Sequence, residues 1–205
     1  MSIVAYGLYS YSAHAEGVGQ VGRAQFNGST AITHLDPNIF QGDGGDYVVT
    51  PDPKTFWFKN KAGEGRLLVA QTYYDKDYIA QPSIITVYDE NMNLVYGVQT
   101  THPTDPGAKI WGSCTNLYAV TTGSDGTNYC LYCIDYDAAV IFRVIDAGSD
   151  SYTYDASSLY SYAPLSSAPT GTKGYGVDIT TDGSAIYGLF INGTNVFTGA
   201  YSNST

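Results

Sequence analysis

Apolar and polar residues alternate in short runs along almost the whole chain. Alternation at a period of two predicts β-strands that bury one face, and turn pairs such as Asp125-Gly126 and Asp182-Gly183 separate the runs. No window keeps a helical apolar stripe free of glycine, so we expect no helix longer than one or two turns. The predicted strands cover residues 3–10, 19–26, 31–35, 47–50, 55–59, 67–74, 83–89, 94–100, 109–114, 117–122, 129–136, 140–146, 174–180, 185–191 and 196–201.

The order of these runs repeats along the chain. An apolar strand, a loop, a strand ending in an acidic turn and a third strand occur in residues 67–98 and again in residues 116–144. A fainter copy spans residues 3–34, and a fourth starts at residue 184. A repeat of roughly 50 to 70 residues built from short antiparallel strands is typical of propeller blades.

The segment 83–95 carries this pattern most clearly, because its strand ends in Tyr88-Asp89 and a short turn leads into another apolar strand. In this respect it resembles the blades of secreted or surface β-propellers of the broad seven-bladed type. The resemblance implies an all-β, propeller-like array of about four antiparallel blade units, either as one domain or as a fragment of a larger propeller. The approximate units are 1–50, 51–105, 106–150 and 170–205. A β-sandwich or jelly roll is the alternative, since those folds have a similar density of turns.

Composition and charge reduce the number of function classes that fit the chain. The chain has 9 basic and 19 acidic residues, which give it a net charge of −10. A surface with this charge repels nucleic-acid phosphates and anionic lipid. No apolar run reaches the ~20 residues of a membrane helix. The low content of charged residues, with 20 Tyr and 23 Gly, favours an extracellular protein or one on a cell or virion surface. No signal peptide is visible after Met1, so we expect export by another route or a start after a removed signal.

Three histidines and several acidic turns are the candidates for chemistry. His34 and His102 lie near predicted strand ends, where a propeller funnel could gather them with an aspartate in a hydrolase or lyase. Surface histidines without a joint role are the simpler interpretation. Calcium is the only cofactor that the sequence suggests, since it prefers carboxylate and carbonyl oxygens, although aspartate is also favoured in turns for its own hydrogen bonds. The calcium candidates are Asp43, Asp46, Asp75 and Asp77.

Tyrosines beside Ser- and Asp-rich loops are the more suggestive feature. Tyr with Ser, Gly and Asn forms an adaptable recognition surface, whereas the simpler interpretation is cross-strand packing. Without a convincing catalytic constellation, we expect a non-catalytic binding or structural module of an exposed surface, such as a cell-surface, virion or appendage component. Its partner would be a protein or a glycan. The predicted ligand-binding residues are Tyr73, Tyr74, Tyr78, Tyr152 and Tyr154.

Cys130 and Cys133 have the spacing of a redox or zinc pair, but they lie in one predicted strand. Residues i and i+3 of a strand point to opposite faces, so we expect no disulfide between them. If a disulfide forms, it should join Cys114 to one of the two.

The last copy of the repeat stops where the other copies continue into a third strand. An apolar strand at a sheet edge exposes unpaired backbone groups and invites pairing. We therefore expect either a piece of a longer propeller or self-association through open strand edges.

Overall fold

The computed structural model describes residues 3–11, 18–26, 30–34, 47–49, 54–75, 79–98, 105–161, 175–192 and 195–202. These residues form strands and turns and contain no helix, so the predicted all-β class is confirmed. None of them belongs to a helix that could span a membrane. The strands are β1 (Ile3–Tyr11), β2 (Val18–Phe26), β3 (Thr30–His34), β4 (Tyr47–Val49), β5 (Lys54–Lys59), β6 (Gly65–Asp75), β7 (Ala80–Tyr88), β8 (Leu94–Tyr96), β9 (Leu117–Ser124), β10 (Tyr129–Asp135), β11 (Val140–Gly148), β12 (Ser151–Ser161), β13 (Tyr175–Thr181), β14 (Ala185–Asn192) and β15 (Asn195–Ser202).

The sheets follow the order of the chain. Antiparallel sheets have the orders β1-β2-β3, β4-β6-β7-β8, β12-β11-β10-β9 and β13-β14-β15, and β5 also pairs with β6 in the second of these sheets. Short turns in the described residues join β7 to β8, β9 to β10, β10 to β11 and β13 to β14. Each of them returns the chain beside the strand it has just left. None of the sheets closes on itself.

Two sequence predictions about strands are wrong. Residues 109–114 do not form a strand, since only Ile110 makes an isolated bridge, to Ile84, and the following residues turn. Conversely, the segment Ser151–Ser161 was not predicted as a strand but forms β12 along β11. Its run of serines and tyrosines resembles a loop by composition, and pairing with the apolar strand β11 overrides that local preference.

The chain divides into two compact units, residues 1–55 with 67–110, and residues 56–66 with 111–205. In the first unit, residues 83–88 of β7 are buried on both faces, so this strand has the continuous apolar character of a central strand. In the second unit, the sheet β9–β12 packs against the sheet β13–β15 around a core that includes Cys130, Tyr132, Ile134, Ile141, Ile179, Ile186 and Phe190.

Two glycines let these sheets of the second unit approach closely. A Cβ atom on Gly176 would lie 2.5 Å from the Cγ1 atom of Ile134, and one on Gly188 would lie 2.6 Å from the Cδ1 atom of Ile141. Both distances are far shorter than a carbon–carbon contact of about 3.5 to 4 Å. The close packing of this core therefore depends on missing side chains at two positions.

Candidate functional site

Three tyrosines of the second unit form a stack. The ring centroids of Tyr118 and Tyr136 are 4.9 Å apart, and those of Tyr136 and Tyr175 are 4.6 Å apart. The interplanar angles are 29° and 24°, so each ring is stacked on its neighbour. Tyr118 is 41% exposed and the others are partly buried. The tyrosine stack therefore presents aromatic surface in one fixed orientation.

The backbone around Tyr136 is held by hydrogen bonds. Its N–H donates to the carbonyl oxygen of Asn116 at 2.9 Å, and its carbonyl accepts from the N–H of Gly176 at 3.2 Å. The Nδ2 atom of Asn116 also donates to Asp137 at 2.9 Å. Because these bonds connect the starts of β9 and β13 to the end of β10, the stack is preorganised.

Asp135 anchors the same edge of the sheets from inside the protein. It is 2% exposed, and its carboxylate accepts the N–H groups of Thr115 at 2.9 Å and Ala138 at 3.0 Å. The Asn116 N–H lies within 3.5 Å of the same carboxylate. A carboxylate that accepts several backbone N–H groups stabilises a loop without a metal ion. Asp135 therefore supports the segment that precedes Tyr118.

A small open pocket lies on the face of β13–β15 that points away from the core. Its volume is about 150 Å³, and its lining includes Asp178, Thr180, Tyr187, Leu189 and Thr198. All of these except Leu189 are exposed, and Leu189 is partly buried. We call this the β13–β15 pocket.

Tyr187 is fixed at this pocket by a turn aspartate. Its hydroxyl donates to Asp182 at 2.7 Å, while Asp182 accepts the N–H groups of Ser184 at 2.8 Å and Ala185 at 2.9 Å. The Tyr187 hydroxyl and these donors lower the pKa of Asp182 well below its usual range. The carboxylate in turn raises the pKa of Tyr187, so both groups keep the protonation states that form the bond.

Arg143 is the centre of a charged cluster that is structural. Its side chain is 8% exposed and forms ion pairs with Asp125 and, at 2.5 Å, with Asp155. Hydrogen bonds from Ser157 and then from Arg143 lower the pKa of Asp155 to about 2. The guanidinium thus pairs with two carboxylates, while its Nε atom is buried without a hydrogen-bond partner in the described residues, so the pairing offsets only part of the cost of burying charge.

The structure describes the side chains of two of the five tyrosines predicted to bind a ligand. Tyr152 is buried, stacks edge-on to Phe58 at 5.8 Å and donates to Asp150 at 3.1 Å, so it does not present its ring to solvent. Tyr154 is partly buried and packs edge-on to Phe142 at 5.7 Å. Burial raises the pKa of both hydroxyls. Tyr73 and Tyr74 lie in β6, where only their backbone is described, and Tyr78 lies outside the described residues.

Most of the histidine and calcium candidates lie outside the residues that the structure describes. His34 is the last residue of β3 and pairs with Gly22, while His102 lies outside the described residues. Asp75 ends β6 opposite Tyr47, and Asp43, Asp46 and Asp77 also lie outside them. The described ranges hold no group of three or more His, Cys, Asp or Glu side chains suited to a metal ion. These calcium and catalytic assignments stay predictions.

The cysteines follow the strand alternation. Cys130 lies in the core between the sheets β9–β12 and β13–β15, whereas Cys133 is opposite Phe142 and Val120 on the other face of β10. Cys114, Cys130 and Cys133 are all free and buried. Burial raises the pKa of Cys130 to about 12 and that of Cys133 further, and burial, then Asp135 and Cys133, raise the pKa of Cys114. These thiols are inert packing groups.

Sequence reasoning missed the tyrosine stack. Tyr118 and Tyr175 open strands and Tyr136 follows one, so each looks like an ordinary strand residue. Their positions were the one signal that could have revealed the stack. Tyr118 lies near the start of β9, Tyr175 starts β13 and Tyr136 follows the end of β10, at an acidic turn. Ends of neighbouring antiparallel strands that share an edge gather their side chains there.

No family model matches the chain, and no curated protein or solved structure is significantly similar to it.

Proposed function

We propose that the protein is a non-catalytic binding module of an exposed surface, as a component of a cell surface, virion or appendage. The observation that carries this proposal is the tyrosine stack of Tyr118, Tyr136 and Tyr175, in which the half-exposed Tyr118 is held against a partly buried neighbour. An aromatic side chain with few rotamers loses little entropy on binding. Preorganisation of this kind favours recognition of a protein or a glycan.

The electrostatic character of the chain supports the same class of partner. A net charge of −10 disfavours phosphate-rich and sulfated ligands. The ring of Tyr118 and the neighbouring Asn116–Asp137 pair offer apolar contact beside hydrogen-bonding groups. That combination suits neutral, hydroxyl-bearing or polar protein surfaces better than anions.

We also propose that the sheets are blades of a propeller-like array. Two observations favour this: each sheet is built from strands in chain order, and the sheets β9–β12 and β13–β15 pack face to face in the second unit. Self-association through open strand edges is proposed with it, because an edge with unpaired N–H and C=O groups recruits another strand. Light scattering at micromolar concentration tests the association, and a monodisperse monomer would contradict it.

The binding proposal is tested by screening the purified full chain against immobilised glycans and surface proteins. A Tyr118→Ala variant should lower the affinity about tenfold, the equivalent of ~1.4 kcal/mol, because it removes the most exposed ring of the stack. Trp57→Ala is the matched control, since Trp57 is an aromatic residue of the same unit with a similar exposure of 45%.

A loss of binding in Tyr118→Ala that Trp57→Ala does not share supports the proposal. Equal losses in the two variants, or no ligand in either screen, would contradict it. Thermal unfolding of both variants shows whether the substitutions preserve the fold, because a lost stack contributes only about 0.5 to 1.5 kcal/mol.

A further inference from the structure

We propose that the β13–β15 pocket binds a single uncharged sugar residue, at the end of a glycan, with Tyr187 as its platform. This inference rests on the proposed binding function but concerns a different surface from the tyrosine stack. The pocket lies on the outer face of its sheet, since Ile179, Ile186 and Phe190 turn to the core on the other face.

The pocket combines the groups that carbohydrate recognition requires. Tyr187 is 39% exposed and offers an aromatic ring to the apolar C–H face of a sugar, and Leu189 extends this apolar surface. Asp178, Thr180 and Thr198 also line the pocket and contribute a small polar part to a mostly apolar lining. Sugar hydroxyls both donate and accept hydrogen bonds, so a carboxylate and two hydroxyls can engage several of them.

The polar groups have hydrogen-bonding capacity to spare. One oxygen of Asp178 accepts the N–H of Ile179 at 2.8 Å, and within the described part of the chain its carboxylate has no other partner. The hydroxyls of Thr180 and Thr198 likewise make no hydrogen bond to another described residue. A carboxylate forms hydrogen bonds worth roughly twice those of neutral acceptors, so Asp178 is the main polar contact.

The platform is rigid before any ligand arrives. The Tyr187 hydroxyl is bound to Asp182, and Asp182 is held by backbone N–H groups of its own turn. The ring therefore needs little ordering on binding, which lowers the entropic cost.

The size and charge of the pocket define the ligand. Its volume of about 150 Å³ is well below the roughly 300 Å³ or more of pockets for drug-sized molecules, so it accommodates one ring. The carboxylate of Asp178 repels an acidic sugar, and the net charge of −10 acts in the same direction. A neutral hexose fits both conditions.

The test uses saturation-transfer NMR on the full chain with the methyl glycosides of glucose, galactose, mannose and N-acetylglucosamine, and with glucuronic acid as the anionic probe. We expect at least one neutral glycoside to bind and glucuronic acid not to bind. Asp178→Asn and Tyr187→Ala should each weaken binding about tenfold, while Trp57→Ala should leave it unchanged. Asp178→Asn alters only an exposed side chain, so it separates ligand contact from folding.

Several outcomes would overturn the inference. They are equal binding of glucuronic acid, the absence of binding by every neutral glycoside, and binding that Asp178→Asn and Tyr187→Ala leave intact. If Tyr118→Ala abolishes binding to a surface partner while the pocket variants leave binding of the neutral glycosides intact, the pocket inference fails and the proposed function stands. If Tyr118→Ala and the pocket variants all leave ligand binding unchanged, both fail.

Discussion

The turns after β7 and β10 come from two copies of one sequence pattern, yet their aspartates act over different distances. Asp89 accepts the N–H groups of Asn91 and Asn93, both at 2.8 Å, within its own turn. Asp135 accepts the N–H of Ala138 in its turn but also that of Thr115, 20 residues earlier. The first carboxylate closes a turn, and the second also attaches a distant loop.

This difference shows what a sequence repeat can and cannot predict. An aspartate at a strand end predicts a turn, because its side chain reaches backbone N–H groups a few residues on. It does not predict burial: Asp89 is partly exposed, whereas Asp135 is 2% exposed. Asp135 also accepts a distant N–H group because residues 115–116 lie next to its carboxylate.

The largest expected effect separates the two aspartates directly. Asp135→Ala removes a buried carboxylate, and the partly buried N–H groups of Thr115 and Ala138 lose this acceptor. A cost of about 3 kcal/mol in the free energy of unfolding follows, since each unsatisfied buried group costs ~1 to 3 kcal/mol. Asp89→Ala should cost only about 1 kcal/mol, because water can replace the carboxylate. Urea denaturation of both variants measures the difference, and equal costs would refute the distinction between the two turns.

Glycines in the two units offer a second contrast. Gly97, after β8, has a φ of +82°, and a Cβ there would lie 2.6 Å from the carbonyl oxygen of Ile85. Gly97→Ala should therefore cost about 2 to 3 kcal/mol, because it combines a left-handed φ with a backbone clash. A Cβ on Gly176 would lie 2.5 Å from Cγ1 of the buried Ile134 and 2.9 Å from the carbonyl oxygen of Asp135, but Gly176 has no left-handed φ, so Gly176→Ala should cost about 1 to 2 kcal/mol. A thermal-unfolding series that reverses this order would contradict the explanation.

The turns of both copies contain a buried residue with a left-handed backbone, Met92 at φ 67° and Ala139 at φ 52°. Replacing either with glycine relieves about 1 kcal/mol of backbone strain. Met92→Gly also removes a large buried side chain and should cost about 2 kcal/mol overall. Ala139→Gly loses one methyl group, worth ~0.8 kcal/mol, so its stability should change by less than about 0.5 kcal/mol. Chemical denaturation distinguishes the two, and a large loss for Ala139→Gly would show that core packing of the methyl group outweighs the relief of backbone strain.

The smallest expected effect is a loss of stability in acid. It concerns β12, the strand that pairs with the last strand of the second copy. Asp155 has a folded pKa of about 2, below its ordinary value of 3.8, because Ser157 and Arg143 stabilise its carboxylate. Its contribution is therefore complete above pH 4 and is lost as the pH falls toward 2. Asp155→Asn should flatten the dependence of the unfolding midpoint on pH in this window. An unchanged slope would mean that the ion pair with Arg143 adds nothing.

The sequence predicted the fold class better than the site, for a physical reason. Alternation and turn residues are local, so strands such as Tyr129–Asp135 and Ala185–Asn192 follow from them. The segment Ser151–Ser161 was missed because its strand character comes from pairing with β11. The tyrosine stack was missed because it joins residues up to 57 positions apart, and no local pattern places Tyr118 beside Tyr175.

The buried thiols have a practical consequence for measuring the motions of this protein. All three cysteines lie in the second unit, and their raised pKa values keep them protonated near neutral pH. A thiol-alkylating reagent therefore reacts with them only when that unit opens. The labelling rate of unmodified protein is a reporter of opening in residues 114–133, without any added dye or tag, and mass spectrometry of each cysteine peptide resolves which face of β10 is exposed first.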